Sequence, residues 1–245
     1  MLKAVILAAG MARRLKPLTD HTPKCLLKVC DKTILGMTLD NLSAHEIRDI
    51  VIVTGFEGTQ IVSYTEKYHS GLNIQFIHNP DFETTNNSYS LWLATGVMKG
   101  CRMLLLDSDI VFEPNIIPRL MESEHNNCLA LNTGVKLGSE EIKVRTDETG
   151  CILEISKEVN PLLASGESIG IELFDEVTTA MLFSTLEQRM ISEKRVNEFY
   201  EASFEEMIRN GKKIYAIDIA PNKCMEIDTP TDLKNAAKML NMTVL

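Results

Sequence analysis

The sequence predicts an α/β fold, a Rossmann-like, mostly parallel mixed sheet with helices on both faces, in a single domain over residues 1–245. Three observations predict it. Short apolar runs at 4–7, 50–54, 74–78 and 103–106 alternate with helical patterns at 35–44, 60–68 and 90–98, the order expected of strands joined by crossover helices. The runs at 4–7 and 103–106 are apolar throughout, as central strands covered on both faces must be. Each of these two runs then ends in residues suited to a ligand, small ones after the first and carboxylates after the second. In such sheets ligands sit beyond the carboxyl ends of the strands.

Composition narrows the function classes. A chain of 245 residues with 44% hydrophobic content can bury a full core without staples. Its formal charge of −9 speaks against a nucleic-acid groove, which needs a broad basic face. No apolar run is long enough to span a bilayer, and the first residues read as a strand rather than a leader. A soluble, cytoplasmic protein without membrane or nucleic-acid partners is expected, either a monomer or a homodimer. The six cysteines form no Cys-x-x-Cys pair, so buried thiols are expected rather than disulfides or zinc ligands. Cys25, beside Lys24, is expected to be somewhat reactive.

After the first strand the chain reads Ala8-Ala9-Gly10-Met11-Ala12-Arg13-Arg14-Leu15 and continues through Pro17-Leu18-Thr19 to Pro23-Lys24. Small side chains there let backbone N–H groups approach an anion unobstructed by Cβ atoms. Arg13, Arg14, Lys16 and Lys24 supply countercharge, and Pro23 presents the Lys24 ammonium from a stiff segment. The loop has neither the Gly-Lys-Ser/Thr of a Walker A sequence nor the three glycines of the dinucleotide fingerprint. In an acidic chain, so local a basic cluster suits a small polyanion such as a nucleoside triphosphate. The competing reading is an ordinary loop with arginines facing water.

Two carboxylate sets follow. The apolar strand 103–106 runs into Asp107-Ser108-Asp109, where alternation places both carboxylates on one side. Far along the chain stands Glu226-Ile227-Asp228-Thr229-Pro230, in which Glu226 and Asp228 again share a side. Strand-end aspartates also serve as caps, and Asp228 or Thr229 can simply start the helix that Pro230 opens. Paired carboxylates at the end of a buried central strand read as a site for a hard cation.

The string from Leu7 to Lys24 resembles the signature of the sugar-phosphate nucleotidyltransferases. There Leu-Ala-Ala-Gly is followed by a Gly-Thr-Arg variant, Pro-Leu-Thr and Pro-Lys. Ala12 stands where a second glycine is usual, and Arg13 where Thr or Ser is common. The resemblance implies the nucleotide-diphospho-sugar transferase type of fold, with a nucleotide-binding part at about 1–110 and an acceptor-binding part at about 111–245. It implies Arg14 and Lys24 as catalytic residues and Mg2+ as cofactor, held by Asp109 and Asp228 with Glu226 beside them. Nucleotide contacts would come from Leu7, Ala8, Ala9, Gly10, Met11, Ala12 and Arg13, with Asp107 in a supporting position.

The segment Asn86-Asn87-Ser88-Tyr89-Ser90-Leu91 looks like that of the cytidylyltransferases acting on phosphocholine and 2-aminoethylphosphonate. This makes CTP the expected nucleotide and Asn87 and Ser90 the base contacts, although Ser88 could equally mark a helix cap. The expected partner is a small phosphonate or phosphate-ester acceptor, bound by Lys157, Glu172, Tyr200 and Glu201. Lys157 can also be a solvated strand-end lysine, and the pattern through 199–205 is also that of an amphipathic helix. Gly166-Glu167-Ser168-Ile169-Gly170-Ile171 resembles an element of the broader group and keeps a sugar-1-phosphate or inositol-phosphate acceptor open. An inactive nucleotide-binding regulatory subunit is the alternative from another class, against which stand Arg14, Lys24, Asp109 and Asp228, all present.

Overall fold

The computed structural model describes residues 1–242. In chain order the elements are β1 (Leu2–Ala8), β2 (Lys28–Val29), β3 (Lys32–Thr33), α1 (Ile34–Ala44), β4 (Asp49–Thr54), α2 (Gly58–Tyr68), β5 (Asn73–His78), α3 (Asn87–Leu93), α4 (Thr95–Met98), β6 (Arg102–Asp107) and β7 (Ile110–Phe112). There follow α5 (Ile116–Met121), β8 (Cys128–Asn132), β9 (Lys143–Thr146), β10 (Ile152–Ser156), β11 (Gly166–Phe174), α6 (Glu176–Glu187), α7 (Glu201–Arg209), β12 (Tyr215–Asp218), β13 (Cys224–Glu226) and α8 (Pro230–Met242).

The main sheet runs β10-β9-β11-β6-β1-β4-β5, with β8 on β11 and β12 on β8. The block β6-β1-β4-β5 is parallel, and β11 joins it antiparallel against β6. Alternation along the strands sorts the core. Ala4, Ile6, Ile50, Ile52, Leu104 and Leu106 face α1, α2 and α5, packing on Leu35, Leu39, Leu42, Ile61 and Ile117. Val5, Leu7, Val51, Val53, Met103 and Leu105 face α3, α6 and α7, packing on Leu91, Leu182, Phe204 and Met207. The expected mixed α/β sheet with helices on both faces therefore stands, and the fully apolar strand runs are explained by the two-sided cover.

Boundaries differ in places. The expected helix at 90–98 starts earlier and divides at Ala94 into α3 and α4. Its cap is Asn86, whose side chain accepts the Asn87 N–H, and Ser88 lies inside the helix with its hydroxyl buried and unpartnered. Among the described residues no helix is long and apolar enough to cross a membrane. The cysteines are free: Cys25, Cys101 and Cys128 are buried, Cys151 and Cys224 half-buried, and Cys30 exposed. Burial and the nearby Asp109 charge push the Cys25 thiol up to about 12. That corrects the expectation of a reactive thiol, since the nucleophilic form is the thiolate.

Candidate active site

Leu7 of β1 pairs with Asp107 of β6, so the loops after both strands open into one cavity of about 600 Å³. Strand β13 reaches the same place from the far end of the chain. It pairs antiparallel with β7, placing Glu226 opposite Ile110, and the Ile227 N–H donates to the Asp109 carbonyl at 2.9 Å. Helix α8 then starts behind Asp228. One oxygen of Asp232 accepts from the N–H of Asp228 (3.1 Å), the N–H of Thr229 (2.7 Å) and the Thr229 hydroxyl (2.8 Å), while Thr229 Oγ accepts the Asp232 N–H. This reciprocal cap makes Thr229 the start of the helix and leaves the Asp228 carboxylate to face the cavity.

Lys24 stands between the two carboxylate sets. Its Nζ donates to Asp109 Oδ2 and to Asp228 Oδ1, each at 2.8 Å, and Arg14 donates to Asp228 Oδ2 at 2.6 Å. Burial pulls the Lys24 ammonium down, and the two carboxylates outweigh it, holding it above its ordinary value. Burial raises the Asp228 carboxyl, and Lys24 and Arg14 override that and lower it.

Asp109, Glu226 and Asp228 each offer one oxygen, all within 4.8 Å of one another. An all-carboxylate set of this size suits a hard divalent cation such as Mg2+. Glu226 is exposed at the open cavity, and the protein packed around it together with the facing Asp109 and Asp228 charges raises its carboxyl. That crowding of negative charge is what a bound cation would relieve, and the Lys24 ammonium stands in for one. The donor set therefore fits the metal that the sequence implies.

Around this centre the signature loop lays Ala8, Ala9, Gly10 and Ala12 along the cavity together with Leu7 and Arg14, whereas Met11 and Arg13 do not line it. A Cβ on Gly10 would meet nothing within 4 Å, so the open backbone there faces space rather than protein. Ala12 adopts a left-handed conformation, φ 46° and ψ 52°, which explains why glycine is usual at this point of the motif. Thr19 fixes the turn by donating to the Ala12 carbonyl at 2.9 Å.

Asn87 and Ser90 line the cavity on the α3 side. Asn87 Oδ1 accepts the Tyr200 N–H at 3.0 Å and Ser90 Oγ accepts from Asn79 Nδ2 at 3.0 Å, which leaves the Asn87 amide nitrogen as a donor for a ligand.

The opposite wall holds Lys157, whose Nζ lies 5.0 Å from the Phe199 ring centre and 3.6 Å from Glu140 Oε2. Glu201 also lines it. Burial, with Lys157 opposing, pushes Glu201 up to about 7. Tyr200 and Glu172, expected to touch the acceptor, are wholly buried and lie behind the wall instead. The Tyr200 hydroxyl donates to Asp107 Oδ2 at 3.1 Å, with Glu172 Oε1 at 3.5 Å. The reason is packing: β11 pairs beside β6 in the same sheet with Glu172 opposite Leu105, and Gly170, at φ 69°, lets Asp107 approach where a Cβ would sit 2.5 Å from its oxygen.

Sequence reasoning gave no role to Glu140, Glu141 and Glu167, which line the cavity together with Phe199, the aromatic beside the expected acceptor residues. Glu167 and Phe199 lie within quoted motifs, whereas Glu140 and Glu141 sit in an irregular segment between β8 and β9 that carries no local signal.

Phosphate-sized loop, lysine and converging carboxylates at the strand ends of such a sheet define a protein of the nucleotidyltransferase class. The chain matches the family model of the MobA-like NTP transferase domain over residues 4–168 and belongs to that family. It is 25% identical over 246 residues to the choline-phosphate cytidylyltransferase of Streptococcus pneumoniae (strain ATCC BAA-255 / R6), covering 98% of each. It is 28% identical over 244 residues to the bifunctional IPC transferase and DIPP synthase of Aquifex aeolicus (strain VF5), covering 99% of this chain and 52% of that protein. The chain thus spans about half the length of the latter.

Among solved structures, the CTP:phosphocholine cytidylyltransferase from Streptococcus pneumoniae superposes with a TM-score of 0.79 at 22% identity, covering 98% of this chain and 99% of that one. The inositol-1-phosphate CTP transferase from T. maritima does so at 0.80 and 19%, covering 98% and 94%. At these identities the structural matches establish the fold.

Proposed function

We propose that this protein is a Mg2+-dependent cytidylyltransferase that transfers CMP from CTP to a small phosphonate or phosphorylated amine, with 2-aminoethylphosphonate ranked just ahead of phosphocholine. An acceptor phosphonate or phosphate oxygen, already anionic, attacks the α-phosphorus in line. The bond from the α-phosphorus to the bridging oxygen breaks, and pyrophosphate leaves with the electron pair. No general base is required, so positioning and charge neutralisation carry the rate. The loop amides from Ala8 to Ala12 and the Arg14 guanidinium hold the β- and γ-phosphates, and Lys24 stabilises charge on the transferring group. Asp109 and Asp228, with Glu226, hold the cation, which when bound supplies charge neutralisation and alignment of the phosphate oxygens.

The observation that carries this reading is the meeting of Lys24, Arg14, Asp109 and Asp228 from three remote parts of the chain at one cavity. Charge supports an amine-bearing acceptor. Beyond the metal centre the wall presents Glu140, Glu141, Glu167 and Glu201 against Lys157, a set suited to one anionic group and a cation. The likeness to choline-phosphate cytidylyltransferase points the same way. A second reading, an inositol-phosphate or sugar-1-phosphate acceptor, is favoured by the 28% identity to the Aquifex bifunctional IPC transferase.

Pyrophosphate release with magnesium separates the two when four nucleoside triphosphates are crossed against 2-aminoethylphosphonate, phosphocholine, phosphoethanolamine, glucose-1-phosphate and inositol phosphate. Turnover with CTP and an amine acceptor is expected. Turnover restricted to a sugar or inositol phosphate moves the protein to the second reading, and no turnover anywhere in the grid refutes both.

A further inference from the structure

The acceptor wall is carried by Phe199 and Glu201, and the segment before them, residues 193–198, is irregular. Within it Arg195 pairs with Glu193 Oε2 at 2.9 Å and, on an exposed side, with Glu198 Oε1 at 3.5 Å. Two further ties join the segment to the elements around it. On one side α3 grips it: the Asn86 N–H donates to the Val196 carbonyl at 3.0 Å, and Asn87 Oδ1 accepts the Tyr200 N–H.

On the other side stands Arg189, buried at 6% exposure. Its Nε donates to Glu198 Oε2 at 3.1 Å, its Nη2 donates to the same oxygen, and its Nη1 donates to Glu206 of α7. Arg189 lies in a π-helical turn over Gln188–Ser192, in which the Glu193 N–H donates to the Gln188 carbonyl at 3.1 Å. Such wide turns are uncommon and recur at functional sites. The Arg195 N–H also returns to the Arg189 carbonyl at 2.9 Å, so the chain folds back around this residue. Glu198 directly precedes Phe199, and Glu206 lies on the helix that Glu201 begins.

We propose that Arg189 is a positioning residue for the acceptor wall, its buried guanidinium tying Glu198 to Glu206 and thereby setting where Phe199 and Glu201 stand. It touches neither substrate. The acceptor part of this inference rests on the function proposed above. A planar fork that makes several charge-assisted hydrogen bonds fixes geometry in a way a point charge does not. Its loss loosens acceptor binding and leaves the nucleotide centre of Arg14, Lys24, Asp109 and Asp228 untouched.

The test compares wild type, Arg189→Met, Arg189→Lys and Glu198→Gln. Glu198→Gln keeps the volume of the site and covers the case in which Arg189→Met fails to fold. Amide hydrogen exchange without any ligand is expected to quicken about tenfold across 193–201 in Arg189→Met and Glu198→Gln, and to recover in part in Arg189→Lys. In steady state the acceptor KM is expected to rise about tenfold and the KM for CTP, which the segment reaches only through the Asn87–Tyr200 hydrogen bond, by a clearly smaller factor, the pattern of ground-state binding lost mainly on one side.

Exchange equal to wild type in both variants overturns the tie. Parallel rises in both KM values also overturn it, because a general loss of structure would do that. The exchange readout needs no substrate, so a wild-type protein inactive with every amine acceptor counts against the proposed function, and exchange alone then decides the positioning role.

Discussion

Replacing Lys24 with alanine removes the ammonium that bridges Asp109 and Asp228, and leaves those carboxylates and Glu226 within 4.8 Å of one another without it. Breaking a buried ion pair by deleting one partner costs about 3–5 kcal/mol, and an exposed pair is worth about 0.2–1 kcal/mol. The Lys24 side chain is 11% exposed and each aspartate 26%, so the loss lies nearer the buried case after discounting for solvent, about 2–3 kcal/mol. For a domain of this length each kcal/mol moves the melting temperature by about 2–4 °C. Lys24→Ala in chelator is therefore expected to remain folded and to melt about 5–10 °C below wild type.

Added magnesium changes the comparison. In wild type a cation must displace Lys24 from the carboxylates, whereas in Lys24→Ala the site is already vacated, so the variant gains more from the metal and the gap narrows. Thermal unfolding of both proteins, in chelator and in saturating magnesium, reads all four values. Equal melting temperatures in chelator, or the same magnesium gain in both proteins, would refute the reasoning, because either result means that Lys24 is not acting as the counter-ion of this site.

Ala12→Gly is expected to stabilise the protein by about 0.5–1 kcal/mol, since the left-handed backbone costs alanine about 1–2 kcal/mol and glycine loses about 0.5–1 kcal/mol more backbone freedom on folding; a denaturant midpoint that falls instead would contradict it. Asp232→Ala removes the acceptor of three hydrogen bonds at the start of α8, and is expected to cost about 1 kcal/mol of stability and to weaken magnesium binding about tenfold by calorimetric titration. Glu201 sits at about 7 in the folded protein against an ordinary 4.5, so between those pH values the folded state holds a proton that the unfolded state has released. Stability from this group is therefore lost as pH rises from 4.5 through about 7. Glu201→Gln should match wild type near the lower limit and exceed it above the upper one by up to about 3 kcal/mol, and a difference that does not vary with pH would sink the assignment.

What could be read from the sequence followed from local causes. The strands were legible because apolar runs covered on both faces leave no polar alternation to confuse them. The two carboxylate sets were legible because each closes such a run or precedes a proline that starts a helix. Lys24 announced itself through Pro23. The parts that were not legible depend on chain segments meeting late. Tyr200 and Glu172 read as pocket residues by type, yet β11 pairs beside β6 in the sheet and α7 packs over that face, burying both behind Asp107. Asn86 displaced Ser88 as the helix cap because its side chain reaches the next N–H, a choice that composition alone leaves open. Arg189 had no local mark at all, since its role comes from a widened turn and from two glutamates on elements after it.

The double engagement of Lys24 ties the energetics of the free protein to the proposed chemistry. Three carboxylates gathered at one point repel one another, and a site built from them alone would weaken the free fold. Placing an ammonium 2.8 Å from two of them offsets that repulsion within the chain. The same lysine is assigned to the transferring phosphoryl group, and one Nζ cannot serve the carboxylates and the phosphate equally. Occupation of the carboxylates by a divalent ion would release Lys24 toward the cavity, so the proposed catalytic lysine becomes available only when its two partners are otherwise neutralised. Arginine at this position tests the argument: it keeps the charge and can satisfy Asp109 and Asp228, but its larger planar fork cannot turn from them to a single phosphate oxygen in the same space. Lys24→Arg is accordingly expected to hold the melting temperature of wild type in chelator while turnover falls at least about a hundredfold, and a variant that kept both would separate the counter-ion role from the catalytic one.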